Sequence, residues 1–149
     1  MRRTQRMQTV TKALAGQEQE HRRALHEKEQ ALDAARQRLD ELLGYLKSYR
    51  EQFVKRFGEG TNGAVGRGYQ QFVERLQSAI AQQNENIRRA SGERDKAQHL
   101  WREAARRSKS VERVASRWAV QSRKRDAVRD QKATDDLVTN RTQRLKNGS

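Results

Sequence analysis

The chain has 149 residues and a formal net charge of +14, with Lys+Arg 33 against Asp+Glu 19. Leu, Ile, Val and Phe together number only 25, too few for a large enzyme core at this charge, so a single domain is the limit. Cysteine and proline are both absent, which excludes disulfides and thiolate chemistry and leaves no position that forbids a continuous helical hydrogen-bond ladder.

Ala, Glu, Lys, Leu and Arg supply 73 residues, close to the roughly one half typical of long helices and coiled coils. The first predicted element is a helix over about residues 3–57. Its apolar residues follow a heptad, with Leu25, Leu32, Leu39, Leu46 and Phe53 at a and Ala35, Leu42 and Tyr49 at d. The same register runs back through Leu14 and Met7, interrupted by Glu18, His21 and Lys28. Lys55 and Arg56 followed by Gly58 read as a helix end, since cations suit the negative pole and glycine accepts positive φ.

Residues 58–68 hold five of the nine glycines and are expected to form the hairpin loop. They match neither a GxGxxG nor a P-loop signature, so a plain linker is the better reading.

A second helix is expected over about residues 69–140. Val73, Ile80, Ile87, Arg94, Trp101, Ser108 and Ala115 fall at a, and Tyr69, Leu76, Gln83, Ala90, Ala97, Ala104, Val111 and Trp118 at d. Folding the arms antiparallel about the loop sets Phe53 near Val73, Leu46 near Ile80, Leu39 near Ile87, Ala35 near Ala90, Leu25 near Trp101, Leu14 near Val111 and Met7 near Trp118, with both tryptophans in the seam. Gly16, Gly44 and Gly92 all land at f, facing outward. Beyond about residue 123 the second arm has no opposing strand, and residues 141–149 are expected to fray. The expected fold is therefore all-α, one antiparallel two-helix coiled-coil hairpin spanning 1–149.

Nothing in this pattern encloses a catalytic pocket. His21, His26 and His99 are not at metal-pair spacing, and no HExxH or nucleophile arrangement is present, so no enzyme activity, metal or cofactor is expected. No apolar run reaches membrane-span length and no signal peptide opens the chain, which makes the cytosol the expected compartment.

Two surfaces stand out. Residues 102–129 carry ten Lys/Arg against three acids, a net +7, which suits an acidic protein surface or a polyanion. Near the loop, the g side of the seam gathers Arg38, Tyr45, Gln52, Phe72 and Ala79 beside Leu42, Tyr49, Leu76 and Gln83, whereas the e side is mostly Arg36, Arg50, Gln77, Asn84 and Ser91. Aromatic residues beyond what a seam needs point to a protein-binding patch.

Leu42-Leu43-Gly44-Tyr45 with Tyr49-Arg50, Tyr69-Gln70-Gln71-Phe72 with Leu76 and Ala79-Ile80, Trp101-Arg102-Glu103, and Arg129-Asp130-Gln131-Lys132 with Asp135-Asp136 occur in an order that resembles the FliJ family. That family supplies a soluble component of the flagellar type III export apparatus. The resemblance implies a hairpin similar to the stalk coiled coil of the rotary ATPase γ subunit. It also implies docking into the export ATPase hexamer to promote assembly and activity, contact with the cytoplasmic linker of the membrane export gate, and exchange with substrate chaperones. The expected location is cytoplasmic, peripheral to the membrane-embedded apparatus.

By the same resemblance the gate contact falls on Arg38, Leu42, Tyr45, Tyr49, Phe72, Leu76, Ala79 and Gln83, with Arg38 and Gln83 departing from the family pattern of glutamine and histidine. The ATPase contact is assigned to Arg117, Arg123, Lys124, Arg125, Arg129, Asp130, Gln131 and Lys132. The alternatives are a basic coiled coil that binds nucleic acid without sequence preference, or the equivalent stalk of a virulence secretion system. No sequence-specific nucleic-acid readout is expected.

Overall fold

The computed structural model describes residues 2–58 and 63–148. They form two helices, α1 (Arg2–Phe57) and α2 (Ala64–Asn147), and no strand occurs among the described residues. The helices pair antiparallel, giving the expected all-α helical hairpin.

α1 ends as its sequence dictates. Lys55 and Arg56 occupy the last turn, and Gly58 adopts φ 75° with its N–H donating to the Val54 carbonyl at 2.9 Å. α2 starts just after Gly63, whose φ is 97° and whose carbonyl accepts the Arg67 N–H at 3.0 Å. The expected loop 58–68 is therefore shorter. Gly66 and Gly68 lie inside α2, which begins at Ala64 rather than residue 69. Each helical glycine costs about 1 kcal/mol relative to alanine, and the packing of Tyr69 one turn later opposes that cost. At the other end α2 continues through 141–147, where the expected tail is helical to Asn147. The Thr142 hydroxyl donates to the Val138 carbonyl and Gly148 N–H to the Arg144 carbonyl, so backbone and side chain there both close on the helix.

The cross-seam contacts differ from the expected pairs by four residues at Phe53 and by seven at Ala35. Tyr69, not Val73, stacks on Phe53 with ring centroids 3.9 Å apart. Gln83, not Ala90, reaches Ala35, donating Nε2–H to its carbonyl at 2.8 Å. An antiparallel coiled coil layers a against d of the other arm, and this register does so. Extended along the arms by heptads from Phe53 on Tyr69, it sets Leu46 opposite Leu76, Leu42 opposite Ile80 and Leu25 opposite Ala97, in place of the expected a-to-a and d-to-d pairs.

Packing divides the chain into two compact units, Gln19–Glu103 and Met1–Glu18 with Ala104–Ser149. In the first, Leu25, Leu32, Leu42, Leu46 and Ala97 are buried, and Leu39, Tyr49, Phe53, Ile80 and Ile87 are half-buried. Lys28 is an exposed member of this seam; the register sets it opposite Arg94, whose Nε donates to Asp95 at 2.8 Å. In the second unit the buried residues are Ala104 and Ser108, flanked by half-buried Met7, Thr11, Leu14 and Val111. Small residues at the seam leave this core thin. Trp101 is half-buried in the first unit, but Trp118 remains 41% exposed in the second, with the Arg3 guanidinium 5.8 Å above its ring. Both tryptophans thus stand at the seam as expected, Trp118 lining one groove with Met7, but neither is sealed in it.

Candidate protein-interaction site

At the hairpin end, a cluster of rings ties the seam to its g flank. Tyr49 lies 5.5 Å from Tyr69 and 4.2 Å from Phe72, while Phe53 contacts both Tyr69 and, at 5.1 Å, Phe57. Pairs at such separations add about 1 kcal/mol each beyond area burial, so this end of the hairpin is held more firmly than its aliphatic layers alone would hold it.

The structure sorts the eight residues assigned to the gate contact. Arg38, Tyr45, Phe72 and Ala79 are exposed on the g flank, with Tyr45 at 55% and Phe72 at 40%. Tyr49, Leu76 and Gln83 are half-buried at the seam margin, and Leu42 is buried beneath them. Leu42 can support such a contact but cannot form its surface. Arg38 is paired with Glu41 at 3.0 Å, and the Gln83 amide is engaged with the Ala35 carbonyl and with Asn86. The remaining free surface of the patch is therefore mainly the two aromatic side chains and Ala79.

One residue missed by the heptad reading adds to this end. Phe57, 47% exposed, sits over Phe53 and lines a groove of about 440 Å³ with Tyr49, Gln52, Lys55 and Arg56. Its i, i+4 spacing from Phe53 was the available signal.

The eight residues assigned to the ATPase contact are all exposed on α2, but they do not share one face. Arg117 and Lys124 line a shallow concavity of about 470 Å³ with Arg113, Ser116, Val120 and Gln121. Arg129 pairs with Asp126, the Arg123 Nε–H donates to the Ala119 carbonyl, and Gln131 donates to Asp135. Between the two arms of the same unit, Met7, Thr11, Ala15, Ala115, Trp118 and Ala119 line a mostly apolar groove of about 650 Å³ with Lys12 and Arg123 at its margin.

Electrostatic perturbation is local. The Arg88 guanidinium, hydrogen-bonded to Glu85, holds that carboxyl below its ordinary pKa, and the same bond raises the arginine. No cluster of three or more potential metal ligands occurs among the described residues, and no helix there is long and apolar enough to cross a membrane.

Comparison with curated proteins finds no match. The family model described as flagellar FliJ protein matches residues 3–147, nearly the whole length of both arms and their connection. With the hairpin, the ring cluster and the basic arm in place, that match makes the chain a member of the flagellar FliJ protein family.

Proposed function

We propose that this flagellar, export-related protein acts as a non-enzymatic stalk and adaptor of the type III export apparatus. It docks in the export ATPase hexamer, promotes the hexamer's assembly and activity, and connects it with the cytoplasmic linker of the export gate. It also takes part in cycling substrate chaperones, working in the cytoplasm at the membrane-embedded machine. The observation that carries this reading is the family match across residues 3–147, joined to the antiparallel helical hairpin. A protein that binds an assembled ring more tightly than free subunits drives assembly by linkage and needs no catalytic group of its own.

The gate contact is assigned to the g flank, where Tyr45, Phe72 and Ala79 form the surface and Arg38, Leu42, Tyr49, Leu76 and Gln83 border or support it. The ATPase contact is assigned to Arg117, Arg123, Lys124, Arg125, Arg129, Asp130, Gln131 and Lys132. Exposed cations there favour an acidic lining and an association rate that falls with salt.

The test is stimulation of a purified flagellar export ATPase by the full chain. Truncation after residue 123 should leave the paired arms helical and abolish most of the stimulation. Tyr45→Ala with Phe72→Ala should keep helical content and weaken capture of the export-gate cytoplasmic region at least tenfold. Absence of ATPase stimulation, together with salt-sensitive binding of arbitrary DNA, would replace this reading with the nucleic-acid one.

A further inference from the structure

Past Trp118 the hairpin register turns wholly polar. Its a and d positions become Ser122, Arg125, Arg129, Lys132, Asp136, Thr139, Gln143 and Lys146. A second 4,3 repeat begins two residues out of phase and runs Val120, Lys124, Ala127, Gln131, Thr134, Val138, Arg141, Leu145, of which four are apolar. Two residues are about 200° around a helix, so this stripe faces roughly 160° away from the hairpin seam.

The stripe is unpartnered: every residue from 116 to 148 is exposed, with Val120 at 41%, Val138 at 60% and Leu145 at 72%. It is nonetheless prepared for burial. The Thr134 hydroxyl donates to the Asp130 carbonyl of its own helix and one Gln131 amide N–H to Asp135, so covering them leaves the hydroxyl donor and one of the two amide N–H groups satisfied. Val120 opens the stripe in the shallow concavity shared with Arg113, Arg117 and Lys124. Arg113, Arg117, Arg123, Lys124, Arg141 and Arg144 lie on or beside this face against two acids, Asp130 and Asp135.

We propose that residues 120–145 of α2 carry a second coiled-coil seam, on the face turned away from the hairpin, that takes an acidic amphipathic helix of a partner protein. The narrow heptad stripe specifies a helix, because a bilayer surface rewards a broad apolar face. The cationic flanks specify acidic e and g positions on the partner and disfavour a second copy of this basic chain. The seam shares Arg117, Arg123, Lys124 and Gln131 with the assigned ATPase contact, but the two readings have separate readouts: ATPase stimulation can fail while the acidic helix still binds, and the reverse.

The probe is a 28-residue synthetic helix with Leu at a and d and Glu at e and g, titrated into the full chain by calorimetry, with a Lys-flanked counterpart. The Glu peptide should bind with a salt-sensitive affinity. The triple variant Val120→Gln, Val138→Gln, Leu145→Gln should lose tenfold or more, and Arg113→Gln, Arg117→Gln, Lys124→Gln a similar amount. Arg125→Gln with Arg129→Gln and Lys132→Gln, exposed on the opposite face of the same helix, should stay within twofold. Equal binding of the Lys peptide, equal loss in the off-stripe variant, or no loss in the triple variant overturns the proposal. So does a dimer in sedimentation that the triple variant dissolves, or stripe-dependent capture on vesicles of phosphatidylglycerol and phosphatidylcholine.

Discussion

Gln83 shows how a single polar side chain can fix a pairing. It sits at a d position and donates across the seam to the Ala35 carbonyl, a bond that the expected register, with Ala90 beside Ala35, does not offer. Polar seam residues commonly trade stability for register in this way. Gln83→Leu should therefore raise stability in chemical denaturation, by up to about 1 kcal/mol for the added apolar burial. The same variant should increase the yield of off-register cross-links between the arms. Glycines divide by conformation. Gly58 needs positive φ, so Gly58→Ala should cost about 1 kcal/mol. A Cβ built at Gly44 or Gly92 meets nothing within 4 Å, so alanine at each should add about 0.5–1 kcal/mol, read as a rise in melting temperature.

Glu85 belongs to the same scale. Its folded pKa is lowered by the bond to Arg88, so the pair's stabilisation is present above the ordinary glutamate value and is lost as pH falls through the lowered one. Carboxyl titration by NMR should find Glu85 below the ordinary range in the native chain and back within it in Arg88→Gln.

At the scale of elements, the two helices are long because nothing in either arm stops them: proline is absent and the helical glycines stand singly. Their pairing is uneven. Leucines and rings fill the seam of the hairpin-end unit, whereas Ala104 and Ser108 occupy the buried positions of the other unit. The heptad extension that sets Leu25 opposite Ala97 also sets Lys28 opposite Arg94, two cations in one layer, which opposes pairing there. Lys28→Leu should raise the denaturation midpoint, by about 1 kcal/mol for partial burial and relief of like charge. The register itself is directly testable. Cysteines at Leu25 and Ala97 should form an intramolecular disulfide readily under mild oxidation, whereas cysteines at Leu25 and Trp101 should not.

Across the whole molecule, the sequence by itself determined the helical hairpin, the a and d residues of each arm, the outward glycines and the flank that bears Tyr45 and Phe72. These follow from periodicity, which is local and needs no knowledge of the partner strand. Only the tertiary structure decided the loop length and hence which layer meets which. A heptad repeat slides onto itself every seven residues and flips between a–a and a–d layering every three or four, so the pattern alone leaves several registers nearly equal. The ring stack of Phe53 on Tyr69 and the Gln83 bond to Ala35 select one of them. For the same reason only the structure separated Leu42, buried, from Tyr45, exposed, and Trp101 from Trp118, since burial depends on the size of whatever stands opposite.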